Sequence, residues 1–560
     1  MLTDIEIAQK CKMLPVADVA GKIGIQAEDL DFYGSYKAKL SFKALARLQK
    51  KAADPAGRGR LILVTAMTPT AAGEGKSTVT VALGDGLRKI GKNAVIALRE
   101  PSLGPCFGVK GGACGGGYAQ VVPMEDINLH FTGDIHAITA ANNLMAALID
   151  NSLQQGNPLG IDPRTVSWKR CVDLNDRALR NVIIGLGSRI DGVPRESHFQ
   201  ISVASEIMAI VCLSRTISEL KERISRITIG ETYDKKAVTF GQLGCTGAVA
   251  ALLKDAVRTN LVQTLEHTPA FIHGGPFANI AHGCNSINAT LAALALSEYT
   301  VTEAGFAADL GAEKFMDIKC RLNGLAPDAA VIVVTARALK MHGGVAKNEL
   351  SAENVSALEK GFANVRVHIE NMAKFGVKTV LAVNRFATDS EAELARIREL
   401  AAAAGSAAVL CEGWGKGGDG AVELAEKVVE LADGKNAFKP LYPLDMPLRD
   451  KIETLAKEIY RAGSVEFDSK ALKKLKAYGD AGYGNLPVCM AKTQNSISHD
   501  KALQGAPSGY AFPVRDVQLY SGAGFVVAFA GDIMDMPGLP KAPSALNIDV
   551  DDEGVITGLF

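Results

Sequence analysis

The sequence predicts an α/β fold in which a parallel or mixed sheet is covered by helices. Residues 61–67 are almost entirely apolar, as expected of a strand that is buried on both faces. A helix-length stretch at 76–90 follows and leads to a second short apolar run, 94–98. The same strand–helix–strand order returns near residue 380, and such repetition is typical of parallel sheets with right-handed crossovers.

Each element of the second cycle follows from its own pattern. One apolar helix face is predicted by side chains that recur at intervals of three and four before Gly376, namely Val355, Leu358, Phe362, Val365, Ile369 and Met372. Residues 377–383 then predict a strand, 389–404 a helix, 407–411 a strand and 421–433 a helix.

The length of 560 residues predicts more than one domain-sized unit. The stretch 435–450 contains three prolines and is the best candidate for a linker, with 156–164 as a second candidate. We expect a nucleotide-binding core in residues 1–360, a second α/β domain in 361–445 and a C-terminal α/β domain in 446–560.

Composition and charge exclude several classes of protein. The 61 Lys and Arg residues balance 61 Asp and Glu residues, which removes the basic surplus that nucleic-acid binding and membrane attachment need. The ten cysteines are scattered without a Cys-x-x-Cys pair, as is usual in a reducing compartment. The acidic N-terminus does not resemble a signal peptide, and no apolar run approaches the ~18 residues of a spanning helix. We therefore expect a cytoplasmic protein that binds neither nucleic acid nor membranes.

A phosphate-binding loop is predicted directly after the first strand. Backbone N–H groups and a helix N-terminus can converge there on phosphate oxygens. Lys76 would reach the β- and γ-phosphates, and the Ser77 hydroxyl would bind Mg²⁺. A glycine-rich turn that only caps the helix is the alternative, but the order favours ATP binding and a core of the P-loop NTPase type. The loop reads Pro69, Thr70, Ala71, Ala72, Gly73, Glu74, Gly75, Lys76, Ser77 and Thr78, with Thr70 at the position where the usual pattern begins with Gly.

Two further features follow strand 94–98. Arg99 stands at its carboxyl end, where ligands bind in open α/β sheets, and a guanidinium can hold a carboxylate or phosphate bidentately. A surface arginine paired with a carboxylate is the alternative. The run 108–117, which includes Lys110, contains six glycines and favours an active-site loop over a flexible linker.

Two aromatic residues are predicted to form a clamp. Phe386 follows strand 377–383 and Trp414 follows strand 407–411, so parallel neighbouring strands would place both rings at one end of the sheet. Trp414 lies between glycines, a poor position for a core residue. Two such rings can sandwich a flat heterocycle, and ordinary loop packing is the alternative. Composition alone assigns Phe306 to the core.

Together these stretches resemble the formate–tetrahydrofolate ligase family, also called 10-formyltetrahydrofolate synthetase, in its monofunctional bacterial form. The resemblance spans essentially the whole chain. It implies that Mg·ATP activates formate as formyl phosphate, and that tetrahydrofolate accepts the formyl group to give 10-formyltetrahydrofolate, ADP and phosphate. It also implies a homotetramer. The segments that carry it are 70–78, 99–105, 110–134, 136–143, 273–283, 302–311, 384–386, 412–416 and 481–494.

The resemblance implies roles for individual residues. Residues 69–76 would hold ATP, and Lys76 and Arg99 would be catalytic, with Arg99 gripping formate and formyl phosphate. Ser77 would bind Mg²⁺, and Glu100 would belong to a site for a monovalent cation, K⁺ or NH₄⁺.

On the folate side, the resemblance implies that Phe386 and Trp414 bracket the ligand and that Phe306 lines the same cavity. Three departures from the family pattern keep every proposed catalytic group: Ser77 in place of Thr, Ala387 in place of Pro and Cys114 in place of Ala.

Two rival functions remain open from the residues. One is another P-loop ligase that activates a carboxylate, such as dethiobiotin synthetase, whose chain is far shorter. The other is an ATP-driven switch or metal-delivery ATPase related to nitrogenase iron protein. That class has a second signature lysine near the start of the loop, and residues 68–71 contain none.

Overall fold

One large mixed sheet organises the chain. A computed structural model describes residues 2–70, 73–108, 114–531 and 533–559. Twelve strands of this described part form the sheet. They are β1 (Leu30–Phe32), β2 (Ala38–Leu40), β3 (Arg60–Ala66), β4 (Ala94–Leu98), β5 (Gly115–Gly116), β6 (Ala119–Val122), β7 (Asn260–Thr264), β8 (Pro269–Ile272), β9 (Tyr299–Glu303), β10 (Ala329–Val334), β11 (Thr379–Asn384) and β12 (Ala407–Cys411).

The strand order is β1-β2-β7-β8-β4-β9-β3-β10-β11-β12, and β6 pairs with both β5 and β7. From β8 to β12 all neighbouring strands are parallel, whereas β1, β2, β7 and β8 pair antiparallel. The parallel strands therefore present their carboxyl ends along one edge of the sheet.

Helices cover both faces of the sheet because alternate residues of its central strands enter different cores. Leu61 and Leu63 of β3 belong to one core, and Ile62 and Val64 belong to the other. Helices α1, α3, α5 and α6 pack on the first face, and α2 and α8 pack on the second. The helices are α1 (Phe42–Ala53), α2 (Lys76–Lys89), α3 (Ile287–Leu296), α4 (Ala336–His342), α5 (Val355–Lys374), α6 (Glu391–Ala403), α7 (Gly413–Lys416) and α8 (Val422–Ala432).

A third core joins the helices of residues 134–257 to the C-terminal strands. Other helices are Asp4–Gln9, Val16–Gly21, Leu103–Phe107, Met124–Asn128, Asp134–Gln154, Glu206–Leu213, Ile217–Arg226, Thr246–Leu252, Leu448–Thr454 and Ser469–Tyr478. Smaller sheets contain Arg170–Val172, Val182–Ile184, Arg195–Ser197, Phe199–Ile201, Thr228–Glu231, Ala237–Thr239, Ser464–Phe467, Val488–Ala491, Ala511–Val514, Asp516–Tyr520, Phe525–Phe529, Asp549–Val550 and Ile556–Thr557.

The α/β prediction is confirmed, with small shifts at element ends. Strands Ala94–Leu98 and Ala407–Cys411 have the predicted bounds, while predicted strand 61–67 is Arg60–Ala66. Predicted helix 76–90 ends one residue earlier, at Lys89. Among the described helices, none combines the length and apolar character that crossing a membrane requires.

The proline-rich stretch is a connection without a helix or strand between Ala432 and Leu448, all within the described chain. It is packed against the protein, since Tyr442 is buried and its hydroxyl accepts a hydrogen bond from the backbone of Val488. β11 and β12 extend the sheet that β3 and β10 begin, so the sheet crosses residue 360. The division of the chain at residues 360 and 445 stays a prediction.

A buried histidine, His368, makes the stability of this fold depend on pH. His368 on α5 is fully buried, its Nε2 lies 3.0 Å from the Thr68 hydroxyl, and burial lowers its pKa to about 4. An unfolded histidine has a pKa near ~6.5, so between about pH 4 and 6.5 the unfolded state binds more protons than the folded state. The stability that neutral His368 contributes is therefore present above pH 6.5 and lost as the pH falls through this window.

We predict that His368→Gln, whose side chain stays neutral, lowers the pH dependence of the free energy of unfolding. The slope should fall by the contribution of one proton, about 1.4 kcal/mol per pH unit inside the window. Urea unfolding from pH 7 to 4 measures the slope for the wild type and the variant. Parallel slopes would contradict the assignment of a neutral, buried His368.

Candidate active site

The predicted site residues follow neighbouring parallel strands at the carboxyl edge of the sheet. In sheet order, Arg99 follows β4, Phe306 follows β9, the phosphate-binding loop follows β3, Phe386 follows β11 and Trp414 follows β12. Ligands of open α/β sheets bind beyond this edge. β11 and β12 are parallel neighbours, with Asn384 opposite Cys411, as the clamp prediction requires.

One cavity of about 430 Å³ at this edge brings together most of the predicted residues. Ala71 and Ala72 lie outside the described residues, as does Lys110. Thr70, Phe386 and Trp414 are not part of the lining. The predicted residues that line the cavity are Pro69, Gly73, Glu74, Gly75, Lys76, Ser77, Thr78, Arg99, Glu100 and Phe306.

An ion pair joins the partly buried Lys76 to the buried Glu303. Lys76 is the first residue of α2, and its Nζ donates to Oε2 of Glu303, the last residue of β9, at 2.7 Å. The Ser77 hydroxyl donates to the same oxygen at 2.9 Å. The second carboxylate oxygen, Oε1, is buried and has no hydrogen-bond partner among the described residues. Glu303 therefore holds both side chains that the loop motif assigns to phosphate and Mg²⁺.

The charge state of Glu303 results from opposing effects. Burial raises the pKa of its carboxyl group, but the charges of Lys76 and Arg99 and the hydrogen bonds from Lys76 and Ser77 outweigh burial, so that pKa lies below its ordinary value. Glu303 is thus an anion at neutral pH, and the positive charge of Arg99 helps to stabilise it.

The loop is fixed by contacts from both ends. The Thr70 backbone N–H donates to Oε1 of Glu74 at 2.7 Å, so the residue that replaces the usual Gly takes part in a local bond. Asn384, at the end of β11, donates to the Glu74 carbonyl at 3.0 Å. Gly75 has a φ of +72° and a Cβ there would lie 2.3 Å from the Asn384 amide nitrogen, so this position requires glycine.

A buried polar cluster holds the start of the loop at Thr68. The Thr68 backbone N–H donates to the Asn364 side chain at 3.1 Å, and the His342 Nε2 lies 2.9 Å from the Thr68 carbonyl. Asn364 also donates to the carbonyl of Gly505, in the C-terminal part of the chain, at 2.7 Å. The loop therefore depends on α4, α5 and the C-terminal part together.

Arg99 and Glu100 lie side by side but have different surroundings. The Arg99 Nη1 donates to the Pro276 carbonyl at 3.4 Å, and its Nε is buried without a partner among the described residues. Glu100 is buried, and its Oε2 also has no hydrogen-bond partner among the described residues. Burial, and then the negative charge of Asp134, raise the pKa of Glu100 well above its ordinary value. Both side chains thus keep hydrogen-bonding capacity that the described protein does not use.

Phe306 lines the cavity with a backbone that is unusual for a large side chain. Its φ is +59°, in the left-handed region that strongly favours glycine. Strained residues of this kind persist where the surroundings fix them, and they concentrate at functional sites. Phe306 is also half-buried and not fully buried, which argues against the core assignment from composition.

Trp414 packs against the end of the glycine-rich loop. Tyr118 donates its backbone N–H to the Trp414 carbonyl at 2.8 Å. Gly117 has a φ of +57°, and a Cβ there would lie 2.1 Å from that carbonyl oxygen, so only glycine permits this approach. The Trp414 side chain is 38% exposed, which agrees with its prediction as a poor core residue.

Phe386 has a different neighbour. Its backbone N–H donates to Oδ2 of Asp389 at 2.8 Å, and the Arg337 guanidinium carbon lies 4.8 Å from its ring centroid. Arg337 is on α4, just after β10. One face of the Phe386 ring is therefore occupied by a cation, and a sandwich of one ligand by both aromatic rings stays a prediction.

Sequence reasoning missed two residues of this edge, Glu303 and Arg337. A signal for Glu303 was present, because a carboxylate at the end of the buried strand Tyr299–Glu303 needs a cationic partner. No comparable signal marks Arg337, whose position depends on the order of β3, β10 and β11 in the sheet.

The fold and the site define an α/β protein with a cavity, at the carboxyl edge of its sheet, that is lined by the cationic side chains of Lys76 and Arg99. The formate–tetrahydrofolate ligase family model matches residues 2–560, so the chain belongs to that family. It is a ligase that uses ATP to join formate to tetrahydrofolate. The match covers all parts of the sheet that carry the site, and nothing favours the rival functions.

We predict that Glu303→Gln destabilises the ligand-free protein by about 2 kcal/mol or more, because Lys76 would lose its buried counter-charge. ATP added without Mg²⁺ should then raise the melting temperature of the variant more than that of the wild type, since phosphate does not have to displace Glu303 from Lys76. Thermal unfolding with and without ATP measures both effects. An equal ATP-induced shift in the two proteins would show that Glu303 does not restrain Lys76.

Proposed function

We propose that the cavity joins formate to the γ-phosphate of ATP, and that the formyl phosphate so formed transfers its formyl group to tetrahydrofolate. The observation that carries this proposal is that Lys76, Ser77 and Arg99 line one cavity and that all three act on the buried carboxylate of Glu303. Both steps build negative charge on phosphoryl oxygens, and fixed cations stabilise such charge.

ATP would bind at a core of the P-loop NTPase type. The N-cap of α2 is Gly75, which has no side chain to cap the helix, so the first N–H groups of α2 would be available to phosphate oxygens. Lys76 would turn from Glu303 to the β- and γ-phosphates. Residues 69–78 would form the rest of this site, including Ala71, Ala72 and Thr78.

Formate would bind to Arg99. A carboxylate matches the donor geometry of a guanidinium, and the buried Nε of Arg99 lacks an acceptor among the described residues. Arg99 would hold formate in line with the γ-phosphate and then neutralise formyl phosphate.

Two cations fit the residues present. Ser77 and Glu303 offer oxygen ligands suited to Mg²⁺, with Glu303 Oε1 buried and unpartnered in the described chain. Glu100 likewise has a buried oxygen without a described partner, which suits K⁺ or NH₄⁺. When bound, such cations would neutralise phosphate charge and keep the carboxylates ionised.

Tetrahydrofolate would bind on the side of the sheet that carries Phe386 and Trp414, with Phe306 between it and the formate site. We further propose a cytoplasmic homotetramer in which residues 1–360 provide nucleotide binding and formate activation. Residues 361–445 would provide the aromatic clamp, and residues 446–560 would form the C-terminal α/β domain.

The function is tested by ADP release from Mg·ATP in K⁺ buffer, with formate and tetrahydrofolate omitted in turn. Sustained release only when both are present, with 10-formyltetrahydrofolate formed in equal amount, is the expected result. Release that is indifferent to both substrates would favour an ATP-driven switch.

We predict that Arg99→Ala lowers formate-dependent turnover by at least about 10²-fold, the usual effect of removing a donor to transition-state charge, while ATP affinity changes only a few-fold. Arg99→Lys keeps the charge but not the paired donors and should fall in between. Steady-state kinetics and calorimetric ATP binding measure the two quantities. Equal losses in both would mean that Arg99 is an ATP ligand.

We predict that Trp414→Ala raises the KM for tetrahydrofolate about 2- to 12-fold, which corresponds to one lost stacking contact. Trp168→Phe is the matched control, because Trp168 is buried and its Nε1 donates to the Asn142 carbonyl, away from the sheet edge. An unchanged KM in Trp414→Ala would remove Trp414 from the folate site.

A further inference from the structure

Arg337 occupies the middle of the functional edge of the sheet. It follows β10, which pairs with β3 on one side and with β11 on the other. β3 leads into the phosphate-binding loop and β11 leads to Phe386. Arg337 therefore stands between the nucleotide loop and the predicted aromatic clamp.

The Arg337 side chain lies over the Phe386 ring and makes no hydrogen bond or ion pair with the described residues. Its guanidinium carbon is 4.8 Å from the Phe386 ring centroid, and the side chain is half-buried. The Nε atom is buried without a hydrogen-bond partner, and the guanidinium makes no hydrogen bond or ion pair with any residue that the structure describes. Asp389, the nearby carboxylate, uses Oδ2 to accept the Phe386 backbone N–H.

A guanidinium in this state is suited to an incoming anion. Its five N–H donors lie in the guanidinium plane, so stacking one face on a ring leaves the edge free to bind two oxygens of a carboxylate. The Nε donor of Arg337 is buried without an acceptor among the described residues, which is unfavourable and favours an acceptor brought by the ligand.

The phosphate chain of ATP is not the expected partner. Lys76 and Ser77 are held by Glu303 of β9, on the opposite side of β3 from β10. Arg337 does not line the cavity that contains Lys76, Ser77 and Arg99. The edge thus divides into a phosphate side at β4, β9 and β3 and an aromatic side at β10, β11 and β12.

We propose that Arg337, which lies against the Phe386 ring, binds a carboxylate of the glutamyl tail of tetrahydrofolate. This assignment rests on the proposed folate side of the site, and tail carboxylates are the anionic groups of that substrate. Arg337 is then a specificity residue that selects folates with a glutamyl tail over bare pterins.

The test is calorimetric binding, under anaerobic conditions, of tetrahydrofolate, of a tetrahydropterin without the benzoylglutamate tail, and of ATP. Arg337→Gln should raise the Kd for tetrahydrofolate at least tenfold and leave the other two within twofold. Arg337→Lys keeps the positive charge and is a second variant in case Arg337→Gln does not fold. Its Kd should rise for tetrahydrofolate only, and by less than in Arg337→Gln. Arg385→Gln is the matched control, because Arg385 flanks Phe386 but already binds Glu391 at 2.6 Å.

Two results would overturn the proposal: an unchanged Kd for tetrahydrofolate in both Arg337 variants, or an equal loss for the tailless pterin or for ATP. Substrate-dependent ADP release by the wild type is measured in parallel. Because the binding measurements do not need turnover, a failure of the ligase reaction is visible separately from a failure of the Arg337 assignment.

Discussion

The ion pair between the partly buried Lys76 and the buried Glu303 is the interaction on which the arrangement of the candidate site depends. It joins the first residue of α2 to the last residue of β9 at 2.7 Å, and it forms only because β9 lies beside β3 in parallel register. Isolated charges of this kind are costly to bury, so the fold must supply both partners and Ser77 as well. In the proposed function, phosphate would replace Glu303 as the partner of Lys76.

The order of the parallel strands places the other candidate residues on either side of this pair. β4 and β9 place Arg99 and Glu303 on one side of the nucleotide loop, and β10 to β12 place Arg337, Phe386 and Trp414 on the other. In the proposed function, anion binding and ring stacking would therefore take place in adjacent parts of one edge. Glycines at 75 and 117 allow Asn384 and Trp414 to approach the two loops closely, which connects the two parts.

Much of the fold could be predicted from local sequence, because strands buried on both faces are continuous apolar runs and helices show a regular apolar stripe. Arg99, Phe386 and Trp414 could be placed for the same reason, since each directly follows such a strand. The strand order could not be predicted, because β9 enters between β3 and β4 from some 200 residues further along the chain. The pairing of Glu303 with Lys76, the position of Arg337 beside Phe386 and the polar cluster at Thr68 depend on that order, so local patterns could not predict them.

The most direct test of the account is the fate of oxygen from formate. With formate labelled in both positions with ¹⁸O, attack on the γ-phosphate makes one label the bridging oxygen of formyl phosphate, and transfer of the formyl group leaves that oxygen on phosphate. The account predicts one ¹⁸O in each inorganic phosphate and one in each 10-formyltetrahydrofolate, read by mass spectrometry. Unlabelled phosphate formed together with 10-formyltetrahydrofolate would contradict it, because no formate oxygen would then have become bonded to the γ-phosphorus.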